Sequence, residues 1–165
     1  MKFLDISWQQ SQLEPELTHV LQAVLSDGQF INGPAVDTFE KNFANYVDAR
    51  FCVGCANGTD ALELVLEGFD IGEGDDVIVP AMTFVATSEA VMRSRSRPIL
   101  VDVDHAAVLD FGKAIEALTP ETRAIIIVHL YGFPADVQLL RQMLNSEGRQ
   151  DVLIVEDAAQ GHGAS

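Results

Sequence analysis

The residues best placed to do chemistry are Asn57-Gly58-Thr59-Asp60-Ala61-Leu62 and, about one hundred positions later, Asp157. The short apolar run Phe51-Cys52-Val53-Gly54-Cys55-Ala56 ahead of the first group reads as a strand, and Ala61–Gly68 behind it reads as a helix closed by glycine. A strand that turns through Gly-Thr-Asp into a helix leaves backbone N–H groups free at the helix start. With the dipole and the Thr59 hydroxyl, they make an anion site suited to phosphate. The same residues fit an ordinary helix cap, because Thr and Asp are common capping residues. Asp157 closes the apolar run that begins at Val152, directly after Glu156. A carboxylate at the end of a buried strand is costly without a partner. A protonated ring nitrogen of a cofactor is one such partner; a helix cap or a turn is another.

Further groups fall near the ends of other apolar runs. Phe84, in Pro80-Ala81-Met82-Thr83-Phe84-Val85-Ala86-Thr87, stands just before a helical stretch, where its ring either covers a planar ligand or fills the core under a loop. His129 and Tyr131, in His129-Leu130-Tyr131-Gly132, are expected in supporting roles. Gln160 and His162 follow Asp157 within a turn and can reach the same ligand. Cys52 and Cys55 form a C-x-x-C, but in a strand these two positions face opposite sides, and no second Cys pair completes a zinc site. They are expected to be buried structural thiols, and no metal site is expected.

The elements that must position these groups alternate. Strands are expected at Cys52–Ala56, Asp76–Val79, Ile99–Asp102, Ala124–His129 and Val152–Glu156. Helices are expected near Asp60–Gly68, Ala86–Arg93, Phe111–Leu118 and Asp136–Glu147. The run Ile125-Ile126-Ile127-Val128 lacks polar alternation, so both faces of its strand should be covered. Such alternation means an open, mostly parallel sheet flanked by helices, with sites gathered at the carboxyl ends of the strands. Residues 1–50 read as an amino-terminal helical segment. Its first helix is about three turns long through Leu13, Leu17, Val20, Leu21 and Val24, with Pro15 near the start, and its second carries Val36, Phe39, Phe43 and Tyr46 on one face. Residues 51–165 read as the α/β part.

Ten basic and 25 acidic residues give a net charge of −15. Such a surface repels nucleic acid and anionic membranes, and no apolar run approaches the ~20 residues that span a bilayer. No targeting signal is visible after Met1, so the chain is read as cytoplasmic. The same charge repels a phosphate at long range, so any phosphate must be held by local groups. A nicotinamide-dependent dehydrogenase is disfavoured because no G-x-G-x-x-G follows the first strand.

Five segments in order, Asn57–Leu62, Pro80–Thr87, Val101-Asp102-Val103-Asp104, His129–Gly132 and Glu156–Ala164, resemble the DegT/DnrJ/EryC1/StrS sugar aminotransferases. The resemblance also covers Gln29–Pro34. It implies the large domain of a pyridoxal 5'-phosphate (PLP) transferase of fold type I, incomplete at the C-terminus. It further implies that Gly58, Thr59 and Asp60 hold the cofactor phosphate, that Phe84 stacks on the pyridine ring, that Asp157 pairs with the ring nitrogen and that Gln160 meets the phenolic oxygen side. The substrates would be a nucleotide-linked keto-sugar and an amino-acid donor such as glutamate, and the assembly a homodimer. In the family the Schiff-base lysine lies downstream of the Asp-Ala-Ala-Gln motif, in a Ser-Phe-x-x-x-Pro-x-Lys-type segment. Lys2, Lys41 and Lys113 occupy no such motif, so no catalytic residue is assigned within the chain, which reads as the amino-terminal part of a longer aminotransferase. An inactive fragment that binds only PLP or a partner chain is the competing expectation, and family variants that replace the lysine act as dehydratases. By the fold type, the strand at Cys52–Ala56 should lack its partners here.

Overall fold

The computed structural model describes residues 5–164, which divide into two compact units, one ending at Gly54 and one beginning at Cys55. In the first unit, helix α1 spans Ile6–Asp27, nearly twice the expected length. The Asp5 carboxylate accepts the Trp8 N–H and caps the helix one turn before the polar residues that carry no apolar period, so Pro15 lies inside it. Gly28 ends it at φ 67°, where its N–H reaches the Val24 carbonyl. No side chain of α1 is buried. Helix α2, Pro34–Tyr46, starts on its proline as expected, and Phe39 stacks on Phe43 with ring centroids 5.6 Å apart.

One expected strand is absent. Residues 52–56 carry no strand, and Val53 is 81% exposed. An extended segment becomes a strand only when a neighbour takes up its N–H and C=O groups, and none does so among the described residues. The cysteine expectation fails for the same reason: Cys52 is half-buried, and Cys55 is exposed, its thiol donating to the Asn57 carbonyl at 3.3 Å.

The second unit holds helix α3 (Gly58–Gly68) and a four-stranded parallel sheet of β1 (Asp76–Pro80), β2 (Arg97–Val101), β3 (Thr122–Val128) and β4 (Leu153–Asp157), ordered β2-β1-β3-β4. Helix α4 (Ala86–Arg93) joins β1 to β2, α5 (Phe111–Glu116) joins β2 to β3, and α6 (Val137–Ser146) joins β3 to β4. Successive strand residues face opposite ways. Val77, Val79, Ala124, Ile126 and Val155 therefore pack with Leu62 and Leu66 of α3 and Ala90 and Val91 of α4. Ile78, Ile125 and Ile127 pack with Ala114 of α5 and Leu140 and Leu144 of α6 on the other face. Residues 125–127 are fully buried, as a strand covered on both sides requires. Pro98, which has no N–H to give, sits in β2 at the sheet's edge.

The amino end of the sheet is fastened by Asp76, 2% exposed. Arg97 grips it with two bonds, Nε to Oδ1 at 2.6 Å and Nη2 to Oδ2 at 2.7 Å, and the Thr119 hydroxyl adds a third at 2.7 Å. Hydrogen bonding from Arg97, helped by Thr119 and outweighing burial, holds the Asp76 carboxyl below its usual range. Because the folded value lies below the unfolded one, the stabilisation is full above about pH 5 and fades as pH falls through about 3.9 toward the folded value. Asp76→Asn should cost about 1–3 kcal/mol, since the exposed guanidinium regains water while a buried amide is left in place of the ion. Urea melts across pH should show this loss at neutral pH and a shallower acid limb in the variant. Equal stability of the two proteins at pH 7 would contradict the role given to the pair.

Candidate functional site

Helix α3 begins at Gly58, and its cap is Asn57 rather than Thr59 or Asp60. The Asn57 Oδ1 accepts the Asp60 N–H at 3.0 Å, and the Asn57 amide returns a bond to Asp60 Oδ2 at 3.0 Å. This reciprocal closure resembles a capping box with Asn and Asp in the two places. The Ala61 N–H is taken by the Asn57 carbonyl. Two donors at the positive end of the helix remain, the N–H groups of Gly58 and Thr59, and they find no acceptor among the described residues. A Cβ at Gly58 would meet nothing within 4 Å, and its φ is not positive, so neither packing nor backbone strain demands glycine there. The open space beside it is what a close-lying anion needs.

That helix start borders a cavity of about 380 Å³, lined also by Thr83, Phe84, Val128, His129, Leu130, Asp157 and Gln160. The cavity stands at the carboxyl ends of β1, β3 and β4. It is also where strand order reverses, since β2 lies on one side of β1 and β3 on the other. Phe84 is 73% exposed, so it is a lining aromatic and no core residue. Its loop is set by the Ala81 N–H on the Val101 carbonyl at 2.7 Å and by the Thr83 and buried Thr87 hydroxyls bonded at 3.0 Å.

Asp157 ends β4 opposite Val128. Its Oδ1 accepts the Ala159 N–H at 3.0 Å, which turns the chain toward Gln160. Gln160 Oε1 accepts the Tyr131 N–H at 2.7 Å, leaving its NH2 group to donate. Glu156, the other carboxylate of the pair, turns instead to His129, 3.2 Å from its Nε2.

The structure thus brings Gly58, Thr59, Phe84, Asp157 and Gln160 to one cavity. Asp60 is not among its lining residues; its N–H is committed to Asn57, and its carboxylate faces Arg93 at 3.7 Å. Sequence reasoning passed over Asn57 as the cap, although Asn three residues before Asp at a helix start was a readable signal. It also missed Leu62, Ala86 and Val128 as apolar walls, which no local pattern marks. Among the described residues no group of three or more His, Cys, Asp or Glu could hold a metal, and no helix is long and apolar enough to cross a membrane.

The chain matches the DegT/DnrJ/EryC1/StrS aminotransferase family over residues 11–165. It is 40% identical over its whole length to UDP-2-acetamido-2-deoxy-3-oxo-D-glucuronate aminotransferase of Pseudomonas aeruginosa, covering 45% of that protein. It superposes on S. venezuelae DesV with a TM-score of 0.92 at 40% identity, covering 98% of this chain and 43% of that one. On Ntda from Bacillus subtilis, solved with bound cofactor PMP, the TM-score is 0.88 at 37% identity, with 93% and 35% covered. The chain spans less than half the length of these relatives.

Asn57→Ala should lower stability by about 0.5–2 kcal/mol, the usual cost of losing a cap side chain, and leave the Asp60 N–H without its partner. Thermal melts read this directly, and an unchanged melting temperature would show that the cap does not set the helix start.

Proposed function

We propose that this chain, which belongs to the DegT/DnrJ/EryC1/StrS aminotransferase family, forms the PLP cradle of an enzyme that moves an amino group from an amino acid, glutamate, to a nucleotide-linked keto-sugar. The observation that carries the reading is the convergence of an unfilled helix start, an exposed aromatic ring and a strand-end carboxylate on one cavity at the strand-order reversal. The sugar side is supported by the P. aeruginosa relative, whose name gives a UDP-linked 3-oxo-sugar. The cofactor is supported by Ntda with bound PMP.

The donor set fits the group. The Gly58 and Thr59 N–H groups and the Thr59 hydroxyl would hold its phosphate, with Asp60 beside them keeping Asn57 in place. Phe84 would cover the ring face. Asp157 would hold the proton on the ring nitrogen, and the Gln160 NH2 would donate to the phenolic oxygen. When bound, the cofactor supplies an electron sink for bond changes at the carbon that carries the amino group. The apolar walls, Leu62, Val128 and Leu130, exclude water and so strengthen each polar contact.

We further read the working form as a cytoplasmic homodimer, since α1 keeps Trp8, Leu21 and Leu25 exposed. A second reading has its own observation: the cavity lining contains no lysine. In that reading these 165 residues bind PLP without turning it over, and the lysine belongs to the segment that the resemblance places downstream of Ser165.

Two measurements test the reading. Gly58→Ala should leave the melting temperature within about 0.5 kcal/mol of wild type, because the added methyl meets nothing in the chain. It should nevertheless weaken PLP about tenfold or more, because the methyl stands where the phosphate must approach. Unaltered PLP affinity would remove the helix start from the site. In protein that transaminates, Asp157→Ala should lower the rate about 100-fold, or about 3 kcal/mol, with the fold kept. A rate near wild type would argue against the ring-nitrogen role.

A further inference from the structure

The two groups proposed to touch the ring edge, Asp157 and Gln160, lie on the loop leaving β4, yet the contacts that fix them come from the turn leaving β3. His129 stands at the root of that turn, 7% exposed and lining the cavity. The Ala135 N–H donates to its Nδ1 at 3.1 Å, so Nδ1 presents its lone pair and the ring proton sits on Nε2. That Nε2 is 3.2 Å from Glu156 Oε2, and a carboxylate accepts, so the imidazole donates to it. The His129 N–H meanwhile donates to the Asp157 carbonyl at 3.1 Å. The same side chain presses on the loop beyond: a Cβ at Gly161 would lie 3.0 Å from the His129 Cβ, closer than real contacts allow. One residue further, Tyr131 takes φ 57°, a left-handed backbone that a tyrosine adopts only when its surroundings hold it there, and its N–H pins Gln160.

We infer that His129 is a positioning residue, which through its Nε2–H bond to Glu156 locks the β3 turn against the β4 loop and so aims Asp157 and Gln160 at the cofactor. The inference rests on the cofactor reading above. The bond to Ala135 fixes which nitrogen carries the proton and which way the ring faces; the bond to Glu156 ties the two loops together. Glu156 precedes Asp157 on the strand, so its side chain leaves the opposite face of β4. Holding Glu156 therefore fixes the twist of the residue that presents Asp157. Neither His129 nor Glu156 needs to touch the reacting atoms for this.

The two ring nitrogens can be tested separately. In Asn the side-chain oxygen stands near the place of Nδ1, and in Gln the amide nitrogen reaches near the place of Nε2. PLP is titrated into wild type and into the His129→Gln, His129→Asn, His129→Ala and Glu156→Ala proteins, reading affinity and the absorption band of the bound cofactor, which reports protonation of the ring nitrogen. His129→Asn and His129→Ala should weaken PLP about tenfold and move the band toward that of the unprotonated ring, the usual scale for losing a group that orients a ligand contact. His129→Gln should restore both to within about threefold, because it keeps a donor for Glu156. Glu156→Ala alters an exposed side chain, so it should reproduce the band shift at an unchanged melting temperature, and it carries the test if His129→Ala does not fold. Wild-type affinity and band in His129→Asn and Glu156→Ala, or no difference between the Asn and Gln proteins, would overturn the positioning role. A wild-type protein with no bound-PLP band would instead overturn the cofactor reading, and the inference with it.

Discussion

Parallel strands can be joined only by a crossover, and crossovers in proteins share one hand. In this chain the second strand is laid to one side of β1 and the third to the other, so the connecting helices must change face: α4 packs on one side of the sheet, and α5 and α6 on the other. Where the direction reverses, the loops leaving β1 and β3 part, and a crevice opens at the carboxyl ends. Everything proposed for function depends on that crevice. The buried run Ile125–Ile127 forms its floor because it is apolar on both faces, and the Asp76–Arg97 pair fastens the opposite end of the same strands.

Electrostatics then decides what the crevice can take. A chain of net charge −15 repels anions at a distance, so attraction has to come from groups within a few ångströms. Two unfilled N–H groups at the α3 start supply it, and they are unfilled because Asn57 takes the third donor and the fourth goes to its own carbonyl. The cap does not compete with the anion site. It selects which donors remain. At the other wall the positive partner is reversed: Asp157 offers negative charge, suited to a protonated heterocycle and unsuited to a second phosphate. A ligand with a phosphate at one end and a basic ring nitrogen at the other matches this polarity.

Much of this was legible in the sequence, for physical reasons. Four of the five expected strands form because each is an apolar run bounded by turn residues, and the helices between them follow from 3.6-residue spacing. Phe84, Asp157 and Gln160 could be placed because strand ends collect sites in parallel sheets. What was not legible depended on partners. Cys52–Ala56 has a strand's composition, but pairing, and with it the burial of both cysteines, cannot be read from one segment alone. The length of α1 was hidden because Asp5 caps a polar stretch that Pro15 seemed to forbid. The crossing of loops at His129, Tyr131 and Gln160 joins residues about thirty positions apart through hydrogen bonds, which leave no periodic trace.

The central claim is that the start of α3 holds a phosphate against an unfavourable net charge. Phosphorus NMR of PLP bound to the protein measures this most directly. A phosphate free in water takes up its second proton near pH 6, and its resonance moves as it does so. Held by the Gly58 and Thr59 N–H groups, it should stay doubly ionised, with a resonance constant between about pH 5 and 8, and Gly58→Ala should abolish that constancy. A bound-cofactor resonance that titrates near pH 6 in the wild-type protein would contradict the account, because the phosphate would then lie in water and the helix start would hold nothing.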